Sequence, residues 1–244
     1  MTKENRKKWG IAAAACAAGL LGIVFLTLAC RADRNVVCYI DGEPIYKEEI
    51  AIAASSVELA AEQKFADASG QSVENVDWSK TTEGKSGYEY LGDAVEQELI
   101  RIKEIQIEAK KNGICDEVTY PEMEKKREAE NRQRAAVKSE QGVIYGVVSF
   151  DEEEYYRYSI DNLDLQNKRY LTQEGVLTAS EKEIKEKYEK DPSAFDNQEY
   201  ETVCMFVKNA VLSEKYEKYM DRLEQNAEVK GKDRMVSFLE KWKG

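Results

Sequence analysis

The sequence predicts a mostly α-helical domain, residues 31–244, with a short β element near its start, behind an N-terminal membrane segment, residues 1–30. Apolar residues recur at steps of three and four over several long stretches, the spacing of one helix face. Only 3 of 244 residues are proline and 34% are charged, a composition that suits long solvated helices. One apolar stretch, residues 36–40, leads into an Asp-Gly turn signal.

The N-terminal segment carries a membrane signal. Residues 10–29 are uncharged and mostly apolar, and a helix of this length spans the hydrocarbon core of a bilayer. Four basic residues and one acidic residue precede them, and a basic flank stays on the cytoplasmic side. We therefore expect everything after Cys30 to lie at the extracytoplasmic face of a bacterial cell membrane.

Three outcomes remain open for this segment. Residues 26–30, LTLAC, look like a bacterial lipobox, in which Cys30 receives lipid and becomes the first residue of the mature protein. Without cleavage, residues 10–29 would anchor the chain, and a cut after Ala29 without lipid would release it. In each case the segment is set apart from the folded domain.

The β element and the first helix follow directly. Residues 36–40 are predicted to form a strand, the next two residues to turn, and residues 43–45 to leave in extended form. A helix is predicted from Glu48 towards Phe65. Residues 66–90 are polar and contain glycines, which predicts a loop, with Trp78 holding it to the body of the domain.

The strongest helical pattern covers residues 91–109 and ends at Asn112-Gly113, a left-handed cap signal. A capping box, Thr119 to Glu122, then predicts a helix over residues 122–139. That helix is polar nearly all round, which is typical of a solvated connector with weak tertiary contacts.

The second half of the chain is also predicted to consist mainly of helices. Residues 142–148 are apolar and contain glycines, and a capping box at residues 149–152 predicts a helix that ends near Gly175. Further helices are predicted over residues 181–190, behind a Ser180 capping box, and over residues 199–226. The tail after them carries apolar residues able to dock.

Composition excludes several kinds of site. The chain has no histidine, which excludes Ser-His-Asp and Cys-His catalysis, the usual zinc enzymes and globin-type haem sites. No glycine-rich phosphate loop is present. The acidic run at residues 151–154 fits the first turn of a helix better than a cation site. We assign no catalytic, cofactor-binding or metal-binding residues.

The net charge of the chain limits the partners that it can bind. The chain carries 36 basic and 47 acidic residues, and residues 31–244 keep 32 and 46 of them, a net charge of −14. Such a surface repels nucleic acid and anionic headgroups.

Three cysteines follow Cys30 without CxxC spacing. They are interpreted as small semi-buried residues, with a Cys38–Cys204 bridge as the alternative.

The order of these elements resembles the SurA/PrsA-type foldases. The resemblance rests on residues 37–50, residues 99–114, residues 177–190 with Phe195 just after, and the closing residues 216–229. It implies a SurA N-terminal-like chaperone domain. The family places a parvulin isomerase domain where this chain has only a short connection after Phe195, and the parvulin histidines are absent. We therefore expect no isomerase chemistry.

Two functions are expected from these observations. The first is a membrane-attached, ATP-independent chaperone that binds unfolded secreted polypeptides without a cofactor. The alternative is an anchored structural or interaction subunit that binds one folded partner. Neither the client nor the oligomeric state follows from the sequence.

Intact-mass analysis of membrane-extracted protein tests the membrane attachment. If Cys30 is lipidated, the mature chain starts at Cys30 and carries the mass of the lipid, and Cys30→Ala blocks processing. A mass that retains residues 1–29 would contradict lipidation and identify an uncleaved anchor.

Overall fold

The structure, a computed structural model, describes residues 35–140 and 142–243. Residues 1–30, for which a membrane segment ending at Cys30 is predicted, lie outside this part of the chain. Within the described ranges, no helix is both long and apolar enough to cross a membrane. The same ranges hold seven α-helices, five short strands and two 3-10 turns, so the mostly helical prediction is confirmed.

The helices are α1 (Lys47–Ser69), α2 (Gly87–Lys111), α3 (Tyr120–Ser139), α4 (Glu152–Gln173), α5 (Glu181–Lys190), α6 (Tyr200–Glu224) and α7 (Lys232–Lys243). The strands are β1 (Val36–Ile40), β2 (Glu43–Tyr46), β3 (Thr81–Thr82), β4 (Lys85–Ser86) and β5 (Val229–Lys230). The 3-10 turns are Val73–Asn75 and Pro192–Phe195.

The predicted β element near the start is confirmed and gains a partner from the far end of the chain. β1 and β2 form an antiparallel hairpin, and β5 pairs antiparallel with the other edge of β1. Asp41 and Gly42 connect the hairpin with φ values of 48° and 83°, the left-handed pair that a tight hairpin turn requires. Asp41 also accepts a hydrogen bond from the backbone of Glu228, at 2.7 Å.

The prediction of one polar loop over residues 66–90 is wrong at both ends. α1 continues to Ser69, β3 and β4 form a small hairpin, and α2 already begins at Gly87. Trp78 anchors the segment as expected, since it is buried and stacks on Phe65 with ring centroids 6.1 Å apart. A Cβ at Gly87 would lie 2.8 Å from the Trp78 backbone, so this close approach requires glycine.

Two predicted capping boxes also need correction. The Thr119 side chain makes no capping hydrogen bond, and α3 begins at Tyr120. At the next helix the box is formed by Asp151 and Glu154 rather than by residues 149–152, so α4 starts later than predicted. The Ser180 box is confirmed, with Ser180 accepting from the Glu183 backbone. Several acidic and hydroxyl residues precede each helix, and the sequence does not determine which one caps it.

α2 is the central helix of the domain. It packs against α1, α4, α6 and α7, and its apolar residues contribute to both larger core clusters. A third, smaller cluster joins α5 to the first half of α6.

The cysteines beyond Cys30 in the described residues are free, so the alternative Cys38–Cys204 bridge is not formed. Cys38 lies inside the core cluster that also contains Ile40, Ile50 and Leu91, and burial raises the pKa of its thiol to about 12.

A buried ion pair and its hydrogen bonds join four of these elements, α1, α2, α4 and β2. Lys103 on α2 lies 3.3 Å from Glu49 on α1, and both side chains are 0% exposed. The hydroxyl of Tyr156 on α4 donates to the same Glu49 oxygen at 2.9 Å, and the backbone N–H of Tyr46 donates to the other at 3.0 Å. Burial and the neighbouring Glu49 charge raise the pKa of Tyr156, which keeps its hydroxyl protonated.

Glu104 on α2 is another buried acid, and its neighbours are themselves acidic. Burial first, and then the Asp41, Glu108 and Glu224 carboxylates, raise its pKa to about 7. A carboxyl in such surroundings is more readily protonated in the folded chain than in the unfolded chain.

Removing the cation of the buried pair should destabilise the domain strongly. Lys103→Met leaves the Glu49 charge buried without its cation, and we expect a loss of about 3–5 kcal/mol. Lys47→Met, which breaks an exposed pair with Glu48, is the control and should cost under about 1 kcal/mol. Urea unfolding of residues 31–244 measures both. Equal effects would contradict a special role for the buried pair.

Glu104 should make stability depend on pH. Its folded pKa lies above the unfolded value of 4.5, so the folded state binds the extra proton between these values. Stability should therefore fall as pH rises from about 4.5 to about 7 and level off above. Thermal unfolding between pH 5 and pH 8 measures this, in a window free of histidine titration. Glu104→Gln should remove the decrease in stability that Glu104 causes over this pH range. A pH profile that the substitution leaves unchanged would contradict the role of Glu104.

Candidate functional site

α3 forms an arm on the body of the domain. Its buried residues are Tyr120 and Met123, both in the first turn, and the rest of the helix is half-buried or exposed. At 1.5 Å per residue its 20 residues extend about 30 Å. Its main helical neighbour is α4. The prediction of a polar helix with weak tertiary contacts is therefore confirmed.

The segment after α3, residues 142–150, runs back along the arm, and we call it the strap. Asn131 donates to the Phe150 carbonyl and accepts from the Phe150 N–H, both at 2.8 Å. Arg134 donates to the carbonyls of Val147 at 2.6 Å and Tyr145 at 3.3 Å. Side chains of α3 thus satisfy backbone groups that a strand partner would satisfy in a sheet.

The strap presents apolar side chains to solvent. Val143 is 74% exposed and Tyr145 87% exposed, and Val147 and Val148 are exposed as well. Exposed apolar residues are ordinary when scattered singly, but a contiguous group marks an interaction surface. The strap is such a group, because four of its nine residues are large, apolar and exposed.

An aromatic cluster continues the strap towards the body. The Phe150 ring lies 5.1 Å from that of Tyr158 and 5.5 Å from that of Tyr155, measured between centroids. The Arg134 guanidinium sits 4.7 Å above the Phe150 ring while it pairs with Glu130 at 2.7 Å. Tyr158 is 48% exposed, so about half of this residue is accessible to a ligand.

A cleft of about 340 Å³ lies at the base of the arm, between α3, α4 and the end of α2. Tyr155 and Tyr158 line it, which joins the cleft to the aromatic cluster. Its walls include Met123 and Lys126 of α3, and Gln106 of α2 also lines it. Burial raises the pKa of the Cys115 thiol at its edge, so this thiol stays protonated and poorly nucleophilic near neutral pH.

Three neighbouring tyrosines in the first half of α4 divide between the core and the surface. Tyr156 points inward to Glu49, whereas Tyr155 and Tyr158 join the surface cluster. The acidic run fulfils a local role, since Asp151 caps α4 and Glu152 accepts from the Tyr120 hydroxyl at 3.2 Å. Within residues 35–140 and 142–243 no group of three or more Cys, Asp or Glu side chains is placed to hold a metal ion.

Sequence reasoning missed the residues that build this surface. Residues 142–148 were recognised as apolar, but no function was assigned to them. Asn131 and Arg134 looked like ordinary polar residues of a solvated helix. Gln106 carried a weak signal, because it interrupts the apolar pattern of the best helix of the chain.

Comparisons of the chain with protein-family models, with curated proteins and with solved structures found no match. The surface of the arm combines exposed apolar side chains, a half-exposed tyrosine and a cleft with a partly polar lining. Such a surface can bind a polypeptide through burial of apolar area and a few directed hydrogen bonds.

Proposed function

We propose that this protein is a membrane-attached extracytoplasmic chaperone that binds unfolded secreted polypeptides on the arm, independently of ATP. The observation that carries the proposal is the exposed apolar strap, held along α3 and continuous with the aromatic cluster and the cleft. The attachment would be through lipid on Cys30 or through residues 10–29.

The dimensions of this surface suit an extended chain. The cleft begins on α3 at Met123, and a second hollow, lined by α3 and by Val143 and Tyr145 of the strap, extends along α3 as far as Val137. Fourteen residues of helix separate them, about 21 Å at 1.5 Å per residue. An extended polypeptide of about six residues covers that distance at 3.3 Å per residue.

The charge and the order of elements support the same proposal. A net charge of −14 on residues 31–244 would keep a complex with an apolar client soluble. The resemblance to SurA/PrsA-type foldases points to the chaperone part of that fold. Those foldases carry their isomerase domain after the segment that resembles residues 177–195, whereas in this chain α6 begins at Tyr200, shortly after Phe195.

One observation favours a second candidate function. Hydrogen bonds from Asn131 and Arg134 hold the strap in a single course, and a preordered surface suits one defined folded partner. The protein would then be an anchored interaction subunit. A chaperone should bind many unrelated unfolded chains, whereas such a subunit should ignore them.

Light scattering tests the chaperone proposal. A denatured model protein is diluted into buffer with and without residues 31–244, at low and at high salt. We expect suppression of scattering that survives high salt, because salt screens charge contacts and leaves apolar burial intact. Unchanged scattering at a several-fold molar excess would contradict the proposal and favour the single-partner subunit.

Variants of the strap locate the binding surface. Val143→Ser with Tyr145→Ser removes two large exposed apolar side chains without disturbing the core, and should raise the concentration required for suppression at least about threefold. Leu59→Ser with Val176→Ser is the matched control, because these exposed apolar residues lie outside the arm. Equal loss in both pairs would show that binding does not depend on the strap.

A further inference from the structure

We infer that the cleft at the base of the arm recognises an amide-ended side chain, glutamine or asparagine, of the bound polypeptide. This inference rests on the proposed function and names the group that the surface selects. The residue that carries it is Gln106, which lines the cleft and is 0% exposed to solvent.

The Gln106 amide lacks adequate partners in the domain. Its Oε1 has no hydrogen-bond partner among the described residues. Its Nε2 donates to the Met123 sulfur at 3.3 Å, and a thioether is a weak acceptor. A buried polar atom without a partner is costly, and few native structures keep one without a reason. Because the amide is closed off from solvent, a ligand group would have to take the place of the Met123 thioether that contacts Nε2, and it would then supply the missing partners.

The chemistry of this amide selects the ligand group. Gln106 offers an acceptor and a donor side by side, and a second primary amide matches both at once. A carboxylate has no proton to donate to Oε1. An ammonium has no acceptor for Nε2 and would lose its hydration in the cleft. The apolar walls formed by Val118, Met123 and Leu163 suit the methylene stem that precedes a glutamine amide.

The position of the cleft favours a polypeptide as the ligand over a free small molecule. Tyr155 and Tyr158 belong to both the cleft and the aromatic cluster, and Phe150 joins that cluster to the strap. A residue seated in the cleft would therefore place its neighbours along the apolar side chains of the strap. Apolar burial would hold the chain, and the cleft would set its register.

Two matched peptides test the inference. Both are fluorescent, apolar and about eight residues long, and they differ only in a central glutamine or methionine, which have similar length. Anisotropy titrations use the full chain in detergent micelles. We expect the glutamine peptide to bind about three- to tenfold more tightly, the contribution of one or two net hydrogen bonds. Equal affinities would overturn the inference.

Gln106→Met completes the comparison. It keeps the length of the side chain and removes both polar atoms, so it should leave the thermal stability unchanged or higher. In this variant we expect the two peptides to bind equally. Gln63→Met, at an exposed site on α1, should retain the preference for glutamine. A preference that persists in Gln106→Met would overturn the inference.

The result is separable from the proposed function. Suppressed scattering with no discrimination between the peptides would overturn the role of Gln106 and leave the chaperone proposal intact. Unsuppressed scattering, with a glutamine preference that depends on Gln106, would support the cleft and make it the recognition site of a single-partner subunit.

Discussion

The fold depends on one buried charge interaction, the pair of Lys103 and Glu49 with the Tyr156 hydroxyl. Transfer of two charges out of water is expensive, and the arrangement is tolerable because Glu49 accepts hydrogen bonds from three donors. Those donors come from β2, α2 and α4. The pair therefore fixes how α1 meets β2, α2 and α4. A shift of α1 against α2 would leave two buried charges unpaired, and a shift of β2 or α4 would remove one hydrogen bond to Glu49.

The surface of the arm follows from that constraint. Because Tyr156 is tied to Glu49, the rotation of α4 about its own axis is fixed. Residues 155 and 158 are three apart on a helix and lie on one face, away from the anchored side chain. The rigid interior thus determines that the aromatic face points towards Phe150 and the cleft.

α2 combines a structural and a binding role because some of its buried polar side chains have hydrogen-bond or ion-pair partners in the fold and others lack them. Lys103 pairs with Glu49, and Glu108 binds Lys111 and the Tyr219 hydroxyl. Gln106 and Glu104 each keep an oxygen without a hydrogen-bond partner among the described residues. Satisfied groups of this kind set the packing of the core. Gln106 lies beside the cleft, where its unmet hydrogen-bonding capacity becomes a means of recognition.

The sequence by itself determined the helical class, the β element at residues 36–45, the central helix and the anchoring role of Trp78. These follow from local patterns: helical periodicity, a left-handed Asp-Gly turn and an isolated tryptophan in a polar segment. Ser180 caps α5 as predicted, and Thr119 stands at the N-cap of α3 as predicted but makes no capping hydrogen bond. Before α4 the cap was predicted at Ser149 and is formed by Asp151, because adjacent side chains compete for the same backbone N–H groups. Only the tertiary structure decided that Glu49 and Lys103 pair, that β5 completes the sheet, and that the strap returns along α3. Each of these contacts joins residues distant in sequence or depends on the course of a loop. None of them produces a periodic pattern in the sequence.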